Sequence, residues 1–328
     1  MIDTHYDLLT IAYVAYLKND YSYLEQISKY FNDKNVTGLI ANLYFMSREE
    51  MKEELHPNYY RDEVSVLEMF KKSKEIVDLY FPDTDILYSI EGADYIKDPN
   101  ELEELYNAGL DSLIMCWNTK SKYASGNYSD QGLTELGKEL LFKEIELGIG
   151  VDLSHANMRS FYDMVYFIKQ EQARGKDICV YASHSNSRSL CDRERNLDDK
   201  QLEQIKEMNG LVGLLSNRNF VIQPEVKDKA TKKEQEQEYI KHIDHVASII
   251  GLDNVMTATD DMDFLRDVDK EYAETAIYKY NEVASKLAEQ LNRKYGYETA
   301  YNIMNGNVHE KIFNKIRSKR NNKKRGEK

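Results

Sequence analysis

The chain has 328 residues, of which 41% are hydrophobic and 31% are charged, and its formal net charge is −13. This composition is typical of a globular protein and excludes the fibrous and wholly disordered classes. The net negative charge argues against a protein that coats nucleic acid, because phosphate binding requires a basic face.

Eight short apolar runs recur along the chain and predict eight β-strands. Most of them are continuously hydrophobic, which is typical of strands buried on both faces of a parallel sheet. The runs cover residues 1–4, 38–45, 86–90, 112–117, 148–154, 177–183, 210–216 and 254–259.

Charged segments with helical spacing separate these runs and predict helices over residues 21–32, 62–79, 101–108, 133–147, 158–174, 198–208 and 236–250. Strands that alternate with helices in a chain of this length predict a (β/α)8 barrel of the TIM type. An open doubly wound sheet is the alternative. Neither GxGxxG nor GxxxxGK[ST] follows the first strand, so the usual nucleotide motifs of such sheets are missing.

Four prolines and no Gly/Ser-rich linker predict a single domain over residues 1–314. Two long helical segments, 269–294 and 298–319, are expected to brace the barrel after its last strand. Residues 315–328 contain eight basic residues and one acid, Glu327, which predicts a flexible, solvated tail. Contact of this tail with nucleic acid or an acidic partner is the alternative.

The cysteines and the lengths of the apolar runs predict a cellular location. Cys116, Cys179 and Cys191 form no CxxC pair, which is typical of reduced thiols in or near a core. No apolar run reaches the roughly 20 residues of a membrane helix, and no signal peptide fits before the first candidate ligand. We therefore expect a cytoplasmic protein without a membrane partner.

Metal-binding side chains occur at the ends of the apolar runs. His5 and Asp7 are two positions apart on the first strand and face the same side. The other four are Glu91, His155, His184 and Asp260. A parallel barrel collects such side chains at one rim, and three imidazoles with three carboxylates are enough for two divalent ions that share a bridging carboxylate.

Each of these residues has a plainer interpretation when it is taken alone. A glutamate at a strand end, such as Glu91, is often a cap or a surface charge. A single histidine like His155 or His184 is often a hydrogen-bonded core residue. His242 and His245 lie within a predicted helix, where packing or surface exposure explains them better than metal binding, and His56 and His309 are expected at the surface.

Long segments along nearly the whole chain resemble one known family in the same order. They are DTHYDLL, GLIANLYFMS, SIEGAD, GLTELGKELLFKEIELGIGVDLSHAN, SHSNSRSLCDRERNL, GLDNVMTATD and MNGNVHEKIF. They resemble the membrane dipeptidase (renal dipeptidase, peptidase M19) family of metal-dependent hydrolases. The resemblance implies hydrolysis of dipeptides, L,D forms included, by a hydroxide that bridges two metal ions. It implies Zn, with Mn or Co as alternatives, and it favours a homodimer.

The resemblance also implies a role for each matching residue. His5, Asp7 and Asp260 would bind one metal, His155 and His184 the second, and Glu91 would bridge the two. Asp261 is the alternative to Asp260 if that loop is shifted by one residue. Asp260 and Glu91 are the implied catalytic residues, with Asp260 carrying the proton of the attacking water. Arg195 would bind the substrate carboxylate, which an arginine fork can bond through both oxygens.

Two positions depart from the family pattern. Trp117 and Asn118 stand where many members have a histidine that binds the substrate carbonyl, although the indole N–H or the Asn118 amide can donate one hydrogen bond there. The loop after Asp260 reads DDMDF where the family usually has DFDG, so the pocket edge loses a glycine. Two alternatives to a dipeptidase therefore stay open: a related amidohydrolase for another small amide, and an inactive metal-binding relative.

Overall fold

The computed structural model describes residues 1–34, 36–45, 64–265, 273–279 and 282–326. Eight parallel strands form one sheet in chain order, and the last strand lies beside the first. The predicted (β/α)8 barrel is therefore confirmed. The strands are β1 (Ile2–Tyr6), β2 (Gly38–Tyr44), β3 (Asp85–Glu91), β4 (Ser112–Ile114), β5 (Gly150–Asp152), β6 (Val180–Ala182), β7 (Leu211–Leu215) and β8 (Val255–Ala258).

Nearly all strand residues are buried, which explains their continuous apolar runs. Every residue of β1, β2 and β4 to β8 is buried. Helices cover the outer face of the sheet and side chains fill its interior, so no strand face needs to be polar. At the seam between β1 and β8, the backbone N–H of Asp260 donates to the carbonyl of His5 at 3.1 Å.

Helices on the outside connect the strands. They are α1 (Leu8–Lys18), α2 (Ser22–Lys34), α3 (Val66–Tyr80), α4 (Glu101–Ala108), α5 (Glu135–Leu147), α6 (Met158–Ala173), α7 (Asp199–Glu207), α8 (Arg218–Val221) and α9 (Lys232–Ile250). Capping boxes begin α3, α7 and α9 at Ser65, Asp198 and Thr231, where side-chain oxygens satisfy backbone N–H groups of the first turn.

The prediction of one helix over residues 269–294 is wrong in its first part. Asn217 and Ala276 form an isolated β-bridge, and the N–H of Ile277 donates to the carbonyl of Ser216 at 2.8 Å. This segment therefore pairs with the chain that follows β7, and a π-helical turn begins only at Val283. Residues 266–272 and 280–281 lie outside the described residues.

The C-terminal helices close the amino-terminal end of the barrel. After α10 (Ala288–Tyr295) and α11 (Tyr297–Tyr301), two π-helical turns (Asn302–Gly306 and His309–Phe313) lead into α12 (Asn314–Gly326). We call the buried contacts made here the barrel-floor cluster. It joins the strand residues Ile2, Ile40, Leu87, Tyr181, Leu211 and Met256, together with Cys179 just before β6, to Val308, Ile312, Phe313 and Ile316.

Basic side chains of α12 pair with acids that lie just before strands or at their first residue. Arg317 forms a two-bond pair with Asp85, the first residue of β3, and Arg320 lies 3.0 Å from Asp111, just before β4. Residues 315–326, predicted as part of a tail, are thus helical and held against the barrel by these charges. The domain boundary after residue 314 stays a prediction.

Two further observations concern the cysteines and the helices. All three cysteines are free and buried, as the absence of a CxxC pair predicts. Among the described helices, none has both the length and the apolar composition that crossing a lipid bilayer requires.

Candidate metal centre

Five strands bring the six predicted ligands together at the carboxyl end of the barrel. His5 lies within β1 and Glu91 is the last residue of β3. The others follow strand ends: Asp7 after β1, His155 after β5, His184 after β6 and Asp260 after β8. All six side chains are at most one tenth exposed, so the cluster is shielded from bulk water.

One half of this cluster is rich in carboxylates. His5 Nε2 lies 3.2 Å from Glu91 Oε2, 3.8 Å from Asp260 Oδ1 and 3.9 Å from Asp7 Oδ1. Asp261, the alternative to Asp260, accepts the N–H of Asp263 at 3.1 Å. His5, Asp7 and Asp260 form a group whose potential ligand atoms all lie within 4.8 Å of one another, and Asp261 is not part of it.

The other half is rich in imidazoles. His155 Nε2 lies 2.7 Å from Glu91 Oε1, and His184 Nε2 lies 3.5 Å from the same oxygen. The two imidazole nitrogens are 2.9 Å apart. Glu91 therefore faces His5 with one oxygen and the pair of histidines with the other, which is the arrangement that a bridging carboxylate needs.

Burial and mutual repulsion perturb the pKa values of these groups. Burial, followed by the charge of Glu91, raises the pKa of Asp7 well above its ordinary value. Burial lowers the pKa of His5, but the Glu91, Asp260 and Asp7 carboxylates outweigh it and raise that pKa to about 10. Burial and the nearby Arg195 lower the pKa of His155 to about 4. Positive charge is thus stabilised in the first half, and a neutral imidazole in the second.

Unpaired polar atoms test whether the residues fit a divalent cation. Both carboxylate oxygens of Asp7 are buried and have no hydrogen-bond partner, although buried polar groups in proteins are nearly always paired. Nitrogen and carboxylate oxygen are the donors that Zn²⁺ and similar ions prefer. The donor set therefore fits divalent metal, and a cation would balance the crowded carboxylates.

Neutral side chains hold the far side of each imidazole. His155 Nδ1 lies 3.1 Å from Asn118 Oδ1; with Nδ1 as the donor of this bond, Nε2 is available to a cation. Ser183 Oγ lies 2.8 Å from His184 Nδ1, and the Asn42 amide lies 3.0 Å from His5 Nδ1. Such contacts orient metal-binding histidines. The sequence predicts a substrate contact for Asn118 and gives no role to Asn42 or Ser183.

Arg195 and Trp117 lie beside the cluster. Arg195 donates from Nη1 to Ser185 Oγ at 2.9 Å and from Nη2 to the carbonyl of His184 at 2.8 Å, and it is 8% exposed. The Trp117 ring lies 6.3 Å from the His155 ring and 5.0 Å, edge-on, from the Tyr44 ring. A cationic group and an aromatic wall therefore border the ligands.

The described histidines outside this cluster make contacts with other parts of the chain. His242 is buried in α9, accepts the N–H of Ser187 at 3.1 Å and lies 3.1 Å from the carbonyl of Val221. His245 pairs with Asp199 at 2.8 Å. His56 is outside the described residues. The packing role expected for His242 agrees with these contacts.

The family model described as membrane dipeptidase (peptidase family M19) matches residues 46–326. The chain belongs to this family. The match begins after His5 and Asp7, so the roles of these two residues depend on the geometry described above.

Relatives and solved structures agree with this membership. An uncharacterized protein from the pqqA 5' region of Klebsiella pneumoniae is 29% identical over 180 residues, which are 52% of this chain and 62% of that protein. The chain thus spans less than two thirds of that relative's length. The dipeptidase AC of family M19 superposes with a TM-score of 0.71, at 19% identity, over 95% of this chain and 97% of that one.

A third similar protein is a metallo peptidase of Rhodobacter sphaeroides, solved with a phosphinate mimic of the dipeptide L-Ala-D-Ala. It superposes with a TM-score of 0.68, at 19% identity, over 95% of this chain and 98% of that one. At such identities the likeness of both solved structures establishes a shared fold. The activity of this M19 member must be argued from its own site.

Proposed function

We propose that this M19 member is a dinuclear metal-dependent dipeptidase that hydrolyses the amide bond of short peptides. One observation carries the proposal: Glu91 Oε2 lies 3.2 Å from His5 Nε2, while Glu91 Oε1 lies 2.7 Å from His155 Nε2. A single carboxylate thus faces two separate ligand sets. His5, Asp7 and Asp260 would hold one ion, and His155 and His184 the other.

Two bound cations would supply Lewis acidity that activates water and polarises the scissile carbonyl. Asp260 would accept the proton of the attacking water and pass it to the leaving amine. Burial raises the pKa of Asp260 to about 6 in the metal-free protein. Glu91 would hold both halves of the centre in register.

Arg195 and Trp117 would position the substrate. The hydrogen bonds of Arg195 to Ser185 and His184 fix its guanidinium beside the imidazole half, where it would attract a peptide carboxylate. The loops that follow β4, β5 and β6 border a cleft of about 980 Å³, with Tyr128, Arg159 and Arg188 in its lining. Its lining contains none of the six predicted ligands, so its volume sets no limit on the substrate at the centre.

The test combines metal content with turnover. Protein purified with Zn²⁺ should contain two ions per chain and hydrolyse members of a panel of L,L and L,D dipeptides. Glu91→Gln should lower both the affinity for the second ion and the rate of turnover by more than about 100-fold, because the bridging carboxylate is lost. Asp111→Asn is the matched control, since Asp111 is a buried carboxyl at the opposite end of the barrel. Full turnover by Glu91→Gln would contradict the proposal.

Trp117 favours a second candidate, an amidohydrolase for another small or cyclic amide. Its ring and that of Tyr44 form an apolar wall where many members of the family have a histidine. Turnover of cyclic amides, with none of any dipeptide, would favour this candidate. Zinc as the native metal, the homodimer and the cytoplasmic location stay predictions from the sequence.

A further inference from the structure

Two buried aspartates outside the ligand set, Asp3 and Asp152, occupy matching positions beneath the two halves of the metal centre. Asp3 lies in β1, two residues before His5, and Asp152 ends β5, three residues before His155. They are 0% and 2% exposed. Their contacts link the strands that carry the ligands.

Asp3 joins β1 to the end of β8. Its Oδ1 accepts the backbone N–H of His5 at 3.2 Å and that of Thr259 at 3.0 Å. Its Oδ2 accepts the Thr259 hydroxyl. Thr259 directly precedes Asp260, so one carboxylate fixes the backbone of two predicted ligands that come from opposite ends of the barrel sequence.

Asp152 makes the same pattern of contacts between β5 and β6. Its Oδ1 accepts the N–H of Ser154 at 3.0 Å and that of Ser183 at 3.0 Å. Ser154 directly precedes His155, and Ser183 directly precedes His184. In both cases the carboxylate accepts two backbone N–H groups. One belongs to the residue two positions further along the chain, and the other belongs to the residue just before a predicted ligand on the neighbouring strand.

The backbone turns sharply after the residues held in this way. Asp260 and His155 have φ angles of 45° and 66°, in the left-handed region that side chains other than glycine rarely adopt. Such a conformation persists only where its surroundings hold it. Each of these two ligands directly follows a residue whose N–H is bonded to Asp3 or Asp152.

We propose that Asp3 and Asp152 are positioning residues, each of which sets the ligand geometry of one half of the centre. Asp3 acts on the half formed by His5, Asp7 and Asp260, and Asp152 acts on the half formed by His155 and His184. This inference rests on the proposed dinuclear centre. It assigns each half of the centre to one pair of neighbouring strands: β1 and β8 support the first half, and β5 and β6 support the second.

The experiment measures the affinity of metal-free protein for Zn²⁺ by competition with a chelator, resolved into the first and second ion. Asp3→Ala and Asp152→Ala should each lower the affinity for one ion by about 10- to 100-fold and leave the affinity for the other ion unchanged. In a His184→Ala background, which retains the carboxylate-rich half, Asp3→Ala should weaken the remaining ion and Asp152→Ala should not. The Asn variants retain Oδ1 as an acceptor but lose the negative charge, so each should weaken the affinity for the same ion by a smaller factor that is still selective.

Asp111→Ala is the matched control. Asp111 is also buried and accepts a backbone N–H from the neighbouring strand, that of Tyr88 at 3.1 Å, but at the opposite end of the barrel. It should lower the melting temperature of metal-free protein without changing either ion. If all three Ala variants lower the affinity for both ions equally, the inference is overturned and the effect is a general destabilisation of the fold.

Two outcomes remain distinct from that one. If an Ala variant does not fold, the Asn variant decides: a selective loss at one ion supports the inference, and unchanged or equally weakened ions overturn it. If wild-type protein binds no Zn²⁺, the proposed function itself fails together with the inference.

Discussion

Phe313 is the largest side chain that the C-terminal helices contribute to the barrel-floor cluster, and its removal should destabilise the whole barrel. It is 0% exposed, and truncation of a buried phenylalanine to alanine costs about 3–5 kcal/mol. The Arg317 guanidinium lies 5.3 Å from the ring centre and adds about 0.5–1 kcal/mol. We therefore expect Phe313→Ala to lower the free energy of unfolding by about 4 kcal/mol.

Urea unfolding followed by two probes measures this change. Trp117 is the single tryptophan and lies at the opposite end of the barrel, while circular dichroism reports all the helices. Phe313→Leu should cost about 1 kcal/mol, and Tyr297→Ala, at a side chain that is 76% exposed, less than about 0.5 kcal/mol. A loss below about 1 kcal/mol for Phe313→Ala, or tryptophan and dichroism transitions that separate, would refute the reasoning that the floor unfolds together with the rim.

Three further predictions concern buried ionisable groups. Burial lowers the pKa of His242 from 6.5 to about 4, so the unfolded chain takes up the proton first and stability falls by about 1.4 kcal/mol per unit as the pH drops through this interval. His242→Gln should remove that slope in urea unfolding between pH 4 and 7. Burial and the nearby Asp152 raise the pKa of Glu144 well above its ordinary value. Stability is therefore lost as the pH rises above the ordinary carboxyl pKa of 4.5, and Glu144→Gln should remove this loss from the same profile. Asp7→Asn should raise the melting temperature of metal-free protein, because the buried carboxylates repel one another, yet lower Zn²⁺ affinity in calorimetry by at least about 100-fold; a lowered melting temperature would contradict this.

The strands were predictable because burial on both faces leaves a continuous apolar run for each. The ends of these runs differ from the ends of the strands by a few residues. The run predicted to end at Trp117 includes a strand that ends at Ile114, since buried loop residues at the rim are as apolar as the strand itself. Periodicity could not separate the two.

The hydrophobic pattern does not predict helix α1, for a related reason. Its sequence, LLTIAYVAYLK, is apolar on nearly all sides, so it lacks the polar face that marks an amphipathic helix. The charged helices α7 and α9 were found because they expose one face to water. A helix packed between β2 and α3 gives no such contrast.

The side chains behind the ligands could not be predicted from local pattern. Asp3 and Thr259 are 256 positions apart, and no spacing rule joins them. Asn42 carried one available signal, because it is a polar residue within the apolar run of β2 and is fully buried. The predicted roles of Asn118, Arg195 and the six ligands stay proposals, although the fold gathers these residues at one rim.

The seam between the first and last strands has a consequence for the order of assembly. During synthesis His5 and Asp7 leave the ribosome long before Asp260, and Thr259 must arrive before Asp3 can hold it. The carboxylate-rich half of the centre thus cannot form on a nascent chain that lacks β8. In the proposed dinuclear centre the ion of this half would be captured only after translation has passed the last strand, so its uptake would report that the ring of strands has closed.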